Sequence, residues 1–366
     1  GGSGTTMIYA SLNGIKSYYT ETNPLMRWVS KVKTNSARKA FKDLSNVINT
    51  QTVILNELNK IDDYYEELPN NGFTKFYEES VLKNIYAIKK IILSSSKKEY
   101  IRDCFMIALI SNVVKVSKMI KSGDLRYATE KEYAKKNTDI ISLFIEKSNS
   151  IVEDLKNHGQ ELTEDSEYLC ADARDIETDD LVDCIITSPP YLNGTNYIRN
   201  TKLELNILGY INNESELPSF HSKGIIAGIN NVTKKSFKSI RKFDFIQSVI
   251  DELTPVAYDG RIPKMIEGYF DNMYTVFVKM ARILKDGGIL SLDIGDSQFS
   301  GVHIKTHELL ERVAGLVGFE KIDEEILRKR KSYSGMELSQ RIIRFKLKKH
   351  KSQRTKYDDF KIKAQE

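Results

Sequence analysis

The chain has 366 residues, of which 40% are hydrophobic and 29% are charged, as in ordinary globular proteins. No run of about 18 apolar residues occurs, which excludes a membrane-spanning helix, and no secretory signal is visible. The 3 cysteines and 5 histidines lack the spacing of a disulfide framework or a metal site. We therefore expect a reduced, cytoplasmic protein that binds no metal.

The net charge of +5 is unevenly distributed along the chain. Basic residues cluster at 234–242, 328–331 and 344–363. Each cluster alone is as readily a solvated face as a binding site. Three clusters in one chain favour a partner with a phosphate backbone.

The first 35 residues predict a turn, a helix, a strand and a second helix. The turn is the glycine-rich segment 1–4, after which Thr5 or Thr6 can cap a helix that Gly14 ends. Residues 15–20 are β-prone, and the segment Glu-Thr-Asn-Pro that follows them leads into the next helix.

Residues 36–160 predict a helical insertion. Apolar side chains recur at helical spacing near 41–48, 81–91, 100–120 and 140–155. Glycine is almost absent and no strand-like alternation occurs, so we expect these helices to pack on one another.

The remainder of the chain predicts alternating strands and helices. Strands are expected at 168–171, 183–187, 289–294, 320–329 and 340–347, and helices at 198–208, 269–284 and 306–316. Residues 210–262 are polar and basic, and their loop-forming residues predict an irregular segment. This order predicts an α/β fold with a mostly parallel sheet and one antiparallel member.

The strongest chemical signal is the segment Ser188-Pro189-Pro190-Tyr191, which directly follows strand 183–187, and the apolar composition of that strand predicts that it is buried. In open α/β sheets, ligands bind beyond the carboxyl ends of the strands. Two prolines fix the backbone there, Ser188 offers a hydroxyl, and Tyr191 offers a ring face. Acceptors of this kind can hydrogen-bond the amino group of a nucleobase, and the ring can stack on a base that has been flipped out of a duplex.

This segment resembles motif IV of the amino-methyltransferases of DNA. Ser-Pro-Pro-Tyr is typical of cytosine-N4 enzymes, whereas Asp-Pro-Pro-Tyr and Asn-Pro-Pro-Tyr are typical of adenine-N6 enzymes. The resemblance covers residues 1–35 and 165–348. It implies a Rossmann-like, seven-stranded class I methyltransferase sheet, the cofactor S-adenosylmethionine and a double-stranded DNA substrate, with Ser188, Pro189, Pro190 and Tyr191 as catalytic residues.

The resemblance also implies which residues bind the cofactor. The glycine-rich turn is similar to the end of motif I, the next strand leads into motif II, and the segment at 170–173 is similar to motif III. The implied cofactor-binding residues are Gly2, Gly4, Thr5, Thr6, Glu21, Asn23, Asp172 and Ala173. Glu21 would bind the ribose hydroxyls, and Asp172 would accept from the adenine amino group.

Further residues are expected to line the target pocket or to bind DNA. Asn193 and Tyr197 follow motif IV, and Asp293, Asp296 and Ser297 follow the next strand. We favour the basic region 210–262 for target recognition, with the helical insertion as a second contact. The predicted DNA-binding residues are Lys234, Lys235, Lys238, Arg241 and Lys242.

The expected organisation is a methyltransferase core of residues 1–35 and 161–348, the insertion at 36–160 and a basic tail at 349–366. The family's first strand, which immediately precedes the glycine-rich turn, is not in this sequence. Either it has been cropped or another chain supplies it. A cognate restriction endonuclease is a further candidate partner.

Several alternatives stay open at this stage. The same motifs serve adenine-N6 enzymes, and related loops methylate RNA or a protein glutamine amide. A catalytically silent subunit that binds DNA or a partner methyltransferase is the alternative outside enzymes. A cytosine-C5 enzyme is disfavoured, because its nucleophilic cysteine normally follows a proline and no Pro-Cys step occurs here.

Overall fold

The computed structural model divides the chain into two compact units. The units comprise residues 1–168 with 197–221, and residues 169–196 with 222–366. The structure describes residues 1–192, 198–221, 224–232, 241–332 and 335–348. The segment expected to be an insertion, 36–160, thus belongs to the same compact unit as residues 1–35.

The first unit is mainly helical. Its helices are α1 (Thr5–Leu12), α2 (Pro24–Lys31), α3 (Ala37–Lys42), α4 (Leu44–Leu58), α5 (Glu79–Ser95), α6 (Glu99–Ile110), α7 (Glu130–Tyr133), α8 (Ile140–His158), α9 (Lys202–Leu208) and α10 (Leu217–His221). Its strands are β1 (Ser17–Thr20), β2 (Met119–Ser122), β3 (Asp124–Tyr127) and β4 (Ser166–Cys170), the last of which crosses the boundary between the units. A π-helical turn, Val32–Ser36, joins α2 to α3.

Helices are present in each stretch predicted within 36–160, but the one near 41–48 is interrupted at Asp43, between α3 and α4, and another was predicted too long. Helix α6 ends at Ile110, not near residue 120, and the antiparallel hairpin β2–β3 follows it. The expectation that this stretch contains no strand is therefore wrong. The apolar residues after α6, such as Val113 and Val116, are fully buried in the turns that lead to the hairpin, so they continue the apolar pattern without continuing the helix.

Apolar stripes on α5, α6 and α8 form the core of the first unit. Ile85 and Ile88 of α5, Phe105 of α6 and Phe144 of α8 are fully buried in one hydrophobic cluster. Their spacing of three or four residues puts the buried side chains of α5 on one face of the helix, which explains why a helical pattern was readable in the sequence.

The second unit contains a four-stranded sheet. Its strands are β5 (Val182–Thr187), β6 (Leu284–Gly295), β9 (Phe319–Lys331) and β10 (Glu337–Leu347), in the order β5-β6-β10-β9. Strand β5 runs parallel to β6, while β10 is antiparallel to both β6 and β9. The prediction of one antiparallel member is confirmed for this sheet. The other elements are α11 (Asp244–Leu253), α12 (Arg261–Ile283), α13 (Thr306–Leu316) and the hairpin β7 (Ser297–Phe299)–β8 (Val302–Ile304).

The fold class is mixed α/β, but a single seven-stranded sheet is not present among the described residues. Strands β1 and β4 form a separate two-stranded sheet. Two local expectations are also wrong. Helix α11 lies within the supposedly irregular region 210–262, and β5 is not buried, since Ile186 is 60% exposed. As β5 is the outer strand of its sheet, no neighbouring described strand covers it.

Strand β6 separates an apolar face from a polar one. Leu290, Leu292 and Ile294 are fully buried against apolar residues of α12. Asp293 and Gly295 alternate with them and therefore belong to the opposite face of the sheet. The strand thus anchors the core with one face and presents polar groups with the other.

A buried hydrogen-bonded network lies at the end of β6. The carboxylate of Asp296, which is 4% exposed, lies 2.5 Å from Nδ1 of His307 and accepts a hydrogen bond from Oγ of Ser339 at 2.8 Å. Burial raises the pKa of Asp296, but these hydrogen bonds outweigh it and hold the pKa below its usual range. The network links β6, α13 and β10.

We predict that Asp296→Asn lowers the free energy of unfolding at pH 7 by about 2–3 kcal/mol, because it removes a buried carboxylate that is hydrogen-bonded to His307 and Ser339. A carboxyl group with a depressed pKa stabilises the fold above its unfolded pKa of about 4, and this contribution is lost as the pH falls through the folded value. The difference between wild type and variant should therefore shrink below about pH 4. Urea unfolding measured from pH 7 to pH 3 checks this, with the exposed Asp286→Asn as control. A difference that does not vary with pH would contradict it.

Candidate functional site

In the first unit, the glycine-rich turn lies against Glu21. The backbone N–H of Gly2 donates to Oε2 of Glu21 at 2.6 Å, and the N–H of Asn23 donates to Oε1 at 2.9 Å. The structure therefore brings together Gly2 and Glu21, which the sequence assigns to one site. Each carboxylate oxygen has more than one lone pair, so Glu21 retains capacity to accept from hydroxyl groups of a ligand.

The backbone conformation of this turn explains why glycine occupies positions 2 and 4. Gly2 and Gly4 have φ values of 58° and 87°, in the left-handed region that favours glycine. A Cβ on Gly4 would lie 3.1 Å from Cα of Ser30, whereas a Cβ on Gly2 would meet no atom within 4 Å. Oγ of Ser30 also donates to the carbonyl of Gly2 at 3.1 Å. The turn is thus packed on α2 at Gly4 and open at Gly2.

Thr5, Thr6 and Asn23 differ in what they can offer a ligand. Thr5 and Thr6 are exposed in the first turn of α1, whose N-terminus has no side-chain cap. Backbone N–H groups in a first turn have no partner within their helix. Asn23 is buried, caps α2 through Leu25 N at 3.0 Å, and donates to Oγ1 of Thr201 at 3.0 Å. Its side chain is therefore engaged within the protein.

In the second unit, Asp172 and Ala173 lie in the short turn after β4. Arg174 donates to both carboxylate oxygens of Asp172, with Nε–Oδ1 and Nη2–Oδ2 distances of 2.9 Å and 2.6 Å. The hydrogen bonds that Arg174 donates to this carboxylate raise the pKa of Arg174. Nη1 of Arg174 also donates to Oδ1 of Asn272 at 3.1 Å, which ties the turn to α12.

The Ser-Pro-Pro-Tyr segment lies immediately after β5, at the carboxyl edge of the sheet. Ser188 is exposed and Pro189 is buried. Thr187, the last residue of β5, pairs with Leu292 of the parallel strand β6, so Ser188 is level with Asp293, two residues before the end of β6. This is the position at which α/β sheets bind ligands.

Tyr191 is held by two polar side chains. Its hydroxyl donates to Oδ1 of Asp293 at 2.9 Å and accepts from Nε2 of Gln340 at 2.8 Å. Nε2 of Gln340 also lies 3.0 Å from Oδ1 of Asp293. The three residues come from the loop after β5, from β6 and from β10, and their bonds fix the orientation of the tyrosine.

The Tyr191 ring packs on the backbone of Gly295. A Cβ added to Gly295 would lie 3.2 Å from both Cδ2 and Cε2 of the ring. Gly295 is therefore required for close approach, although its backbone conformation is not left-handed. One ring edge is seated on the sheet while the hydroxyl is fixed by hydrogen bonds.

The predicted DNA-binding cluster is only partly described. Lys234, Lys235 and Lys238, like Asn193 and Tyr197, lie outside the described residues. Arg241 forms an ion pair with Asp271 at 2.6 Å and packs over the ring of Tyr274, so its charge is engaged within the chain. Lys242 is exposed.

The described residues show neither a disulfide bond nor a group of side chains that could bind a metal. Burial raises the pKa of Cys104 to about 12 and also raises that of Cys170, which disfavours a reactive thiolate. None of the described helices is both long enough and apolar enough to span a bilayer.

The chain is similar to known type II methyltransferases over part of its length. It is 31% identical over 157 residues to the type II methyltransferase M.AvaI of Nostoc sp., with 39% of this chain and 32% of that protein aligned. It is 26% identical over 183 residues to M.BsoBI of Geobacillus stearothermophilus, covering 44% and 36%. The chain therefore spans about a third of the length of these relatives. No family model and no solved structure matches the chain.

Sequence reasoning missed Gln340 and Arg174. Gln340 lies in a strand of alternating pattern, and only its register opposite Gly295 brings it to Tyr191. The contact between Arg174 and Asp172 could have been predicted, because a basic side chain two positions after an aspartate that begins a turn can reach the carboxylate of that aspartate.

We predict that Gly4→Ala destabilises the protein by about 3 kcal/mol, since it combines a left-handed backbone with a clash against Ser30. Gly2→Ala is the matched control, because it has a left-handed φ but open space, and should cost only about 1 kcal/mol. Chemical denaturation of both variants gives the comparison. Equal losses of stability would show that Gly4 is not packed on α2 as described.

Proposed function

We propose that the chain is a site-specific DNA methyltransferase that transfers a methyl group from S-adenosylmethionine to the exocyclic amino group of a flipped base, with cytosine N4 as target. The observation that carries this proposal is the Ser188–Tyr191 segment at the carboxyl edge of β5, with Tyr191 fixed by Asp293 and Gln340. The partial similarity to type II methyltransferases supports the same class.

The residues present fit the cofactor in each unit considered by itself. In the first unit, Gly2 is exposed and lacks a side chain, and Glu21 beside it can accept from ribose hydroxyls. In the second unit, the Asp172 carboxylate would accept from the adenine amino group in place of one of the four hydrogen bonds that Arg174 makes to it. When bound, the cofactor supplies an electrophilic methyl group on a sulfonium sulfur.

The catalytic loop would act on the base. The lone pair of an exocyclic amino group is delocalised into the ring, so that the nitrogen is a weak nucleophile. Acceptors at Ser188 and at the neighbouring backbone carbonyl would hydrogen-bond the amino protons and favour the more tetrahedral nitrogen of the transition state. Tyr191, held by Asp293 and Gln340, would offer its ring to the base.

The proposed partners follow from this activity. They are double-stranded DNA, contacted in part by the 234–242 cluster, and, as a further candidate, a cognate restriction endonuclease. A cytoplasmic location suits such an enzyme. The second candidate function is adenine-N6 methylation by the same residues, and the third is a silent subunit that binds DNA without catalysis.

We expect the purified chain to transfer labelled methyl groups from S-adenosylmethionine to duplex DNA, and digestion to nucleosides should yield N4-methylcytosine. N6-methyladenine would instead support the second candidate, while DNA binding without binding of S-adenosylmethionine would support the third. Ser188→Ala should lower the methylation rate by about 100-fold with cofactor affinity unchanged, because it removes one acceptor. An undiminished rate in that variant would exclude the hydroxyl from the reaction.

We also predict that Gly295→Ala lowers the single-turnover rate constant of methylation about tenfold, because the new Cβ would shift the Tyr191 ring by a few tenths of an ångström. Gly315→Ala is the matched control, since a Cβ there meets no atom within 4 Å. Single-turnover methylation with both variants distinguishes the two. Equal rates for the two variants would mean that the position of the ring does not limit the reaction.

A further inference from the structure

The hairpin β9–β10 extends beyond the carboxyl edge of the sheet. The last residue of β6, Gly295, pairs with Gln340, which pairs in turn with Arg328. Both strands continue past this row, through Lys331 on β9 and back to Glu337 on β10. At about 3.3 Å per residue, three further residue pairs reach roughly 10 Å beyond the end of β6. The overhang lies at the edge that carries Ser188 and Tyr191.

The charges of β9 are divided between its two halves. Carboxylates of the first half pair with bases of β10, as in Asp323–Arg344 at 2.8 Å and Glu324–Arg341 at 2.6 Å. In the second half, Lys329 pairs with Glu337 at 2.8 Å. The exposed Arg328 and Arg330, by contrast, form no ion pair with any residue that the structure describes. Two guanidinium groups are thus available to an external anion.

The two arginines share a face of the hairpin with the residue that fixes Tyr191. Positions 328 and 330 are two apart on a strand, and their side chains therefore point to the same side. Residues directly opposite in an antiparallel pair also share a side, so Arg328 lies beside Gln340, with Cβ atoms about 5 Å apart. Gln340 itself hydrogen-bonds Tyr191. The row of arginines therefore leads outward from the catalytic loop.

We propose that Arg328 and Arg330 bind the phosphate backbone of DNA next to the target nucleotide. This inference rests on DNA being the substrate. A nucleotide flipped towards Ser188 and Tyr191 brings its flanking phosphates to the same edge of the sheet. Guanidinium groups bind phosphates through paired hydrogen bonds, and such contacts fix the register of the protein on the duplex without reading its sequence.

Exposed charges on an edge strand can also act only to prevent association between sheets. The two roles differ in their dependence on salt. A phosphate contact releases counterions, so that each contact adds about 0.9 to the slope of log K against log salt concentration. A charge that only blocks association adds nothing to this slope, and its loss instead promotes oligomers.

The test measures binding of the full chain to a fluorescent duplex of about two helical turns by anisotropy at several salt concentrations. For Arg328→Gln with Arg330→Gln, we expect the slope to fall by about 2 relative to wild type. Arg328→Lys with Arg330→Lys keeps the charges and should retain most of the slope. Lys264→Gln with Lys285→Gln is the control, because it removes two exposed charges of the same unit, of which Lys285 lies at the start of β6, away from the carboxyl edge.

The outcomes separate this inference from the proposed function. An unchanged slope in the glutamine variant, with wild type still binding and methylating DNA, would overturn the role of the arginines alone. Self-association of that variant with an unchanged slope would assign them to edge protection and would also overturn it. Absence of both DNA binding and methyl transfer in wild type would instead remove the proposed function.

Discussion

The arrangement at the end of β6 is the constraint on which the rest of the second unit depends. This strand must bury Leu290, Leu292 and Ile294 on one face while it presents Asp293 and Gly295 on the other. Because alternation in a strand is strict, a shift by one residue would exchange the two sets. The same register that fills the core therefore brings Asp293 to the hydroxyl of Tyr191 and puts Gly295 under its ring. Packing and the geometry of the loop cannot be varied independently.

Strand β10 connects β6 to the loop that carries Tyr191 and, through Asp296, to helix α13. Its Gln340 reaches Tyr191 from one face, while the next residue towards the N-terminus, Ser339, donates to the buried carboxylate of Asp296. Asp296 in turn contacts His307 in the first turn of α13. A polar network that is fully hydrogen-bonded tolerates few alternative arrangements. Loop, sheet and helix are thus fixed by adjacent residues of one strand, and a change in the register of β10 would disturb all three.

The sequence predicted what is local and missed what depends on pairing. The boundaries of α1 and α13 and the position of Ser188–Tyr191 after a strand followed from caps, periodicity and a motif. The burial of β5 was misjudged, because an apolar strand has the same composition in the centre of a sheet and at its edge. Gln340 was missed for a related reason, since its proximity to Tyr191 depends on the register between β6 and β10. Helix α6 was extended too far because buried turns can continue an apolar pattern.

The register between β9 and β10 also determines which charged side chains of β9 have an ion-pair partner. The acidic half of β9 lies alongside bases of β10 and is neutralised by them, whereas its basic half lies beyond the end of β6, where one carboxylate, Glu337, faces several cations. Unpaired arginines on a strand that overhangs the loop would be destabilising if a neighbouring element covered them, because a buried charge without a partner is costly. Their exposure avoids that cost only while the face stays hydrated or meets an anion. A polyanion that approaches the carboxyl edge would satisfy them without any rearrangement of the sheet.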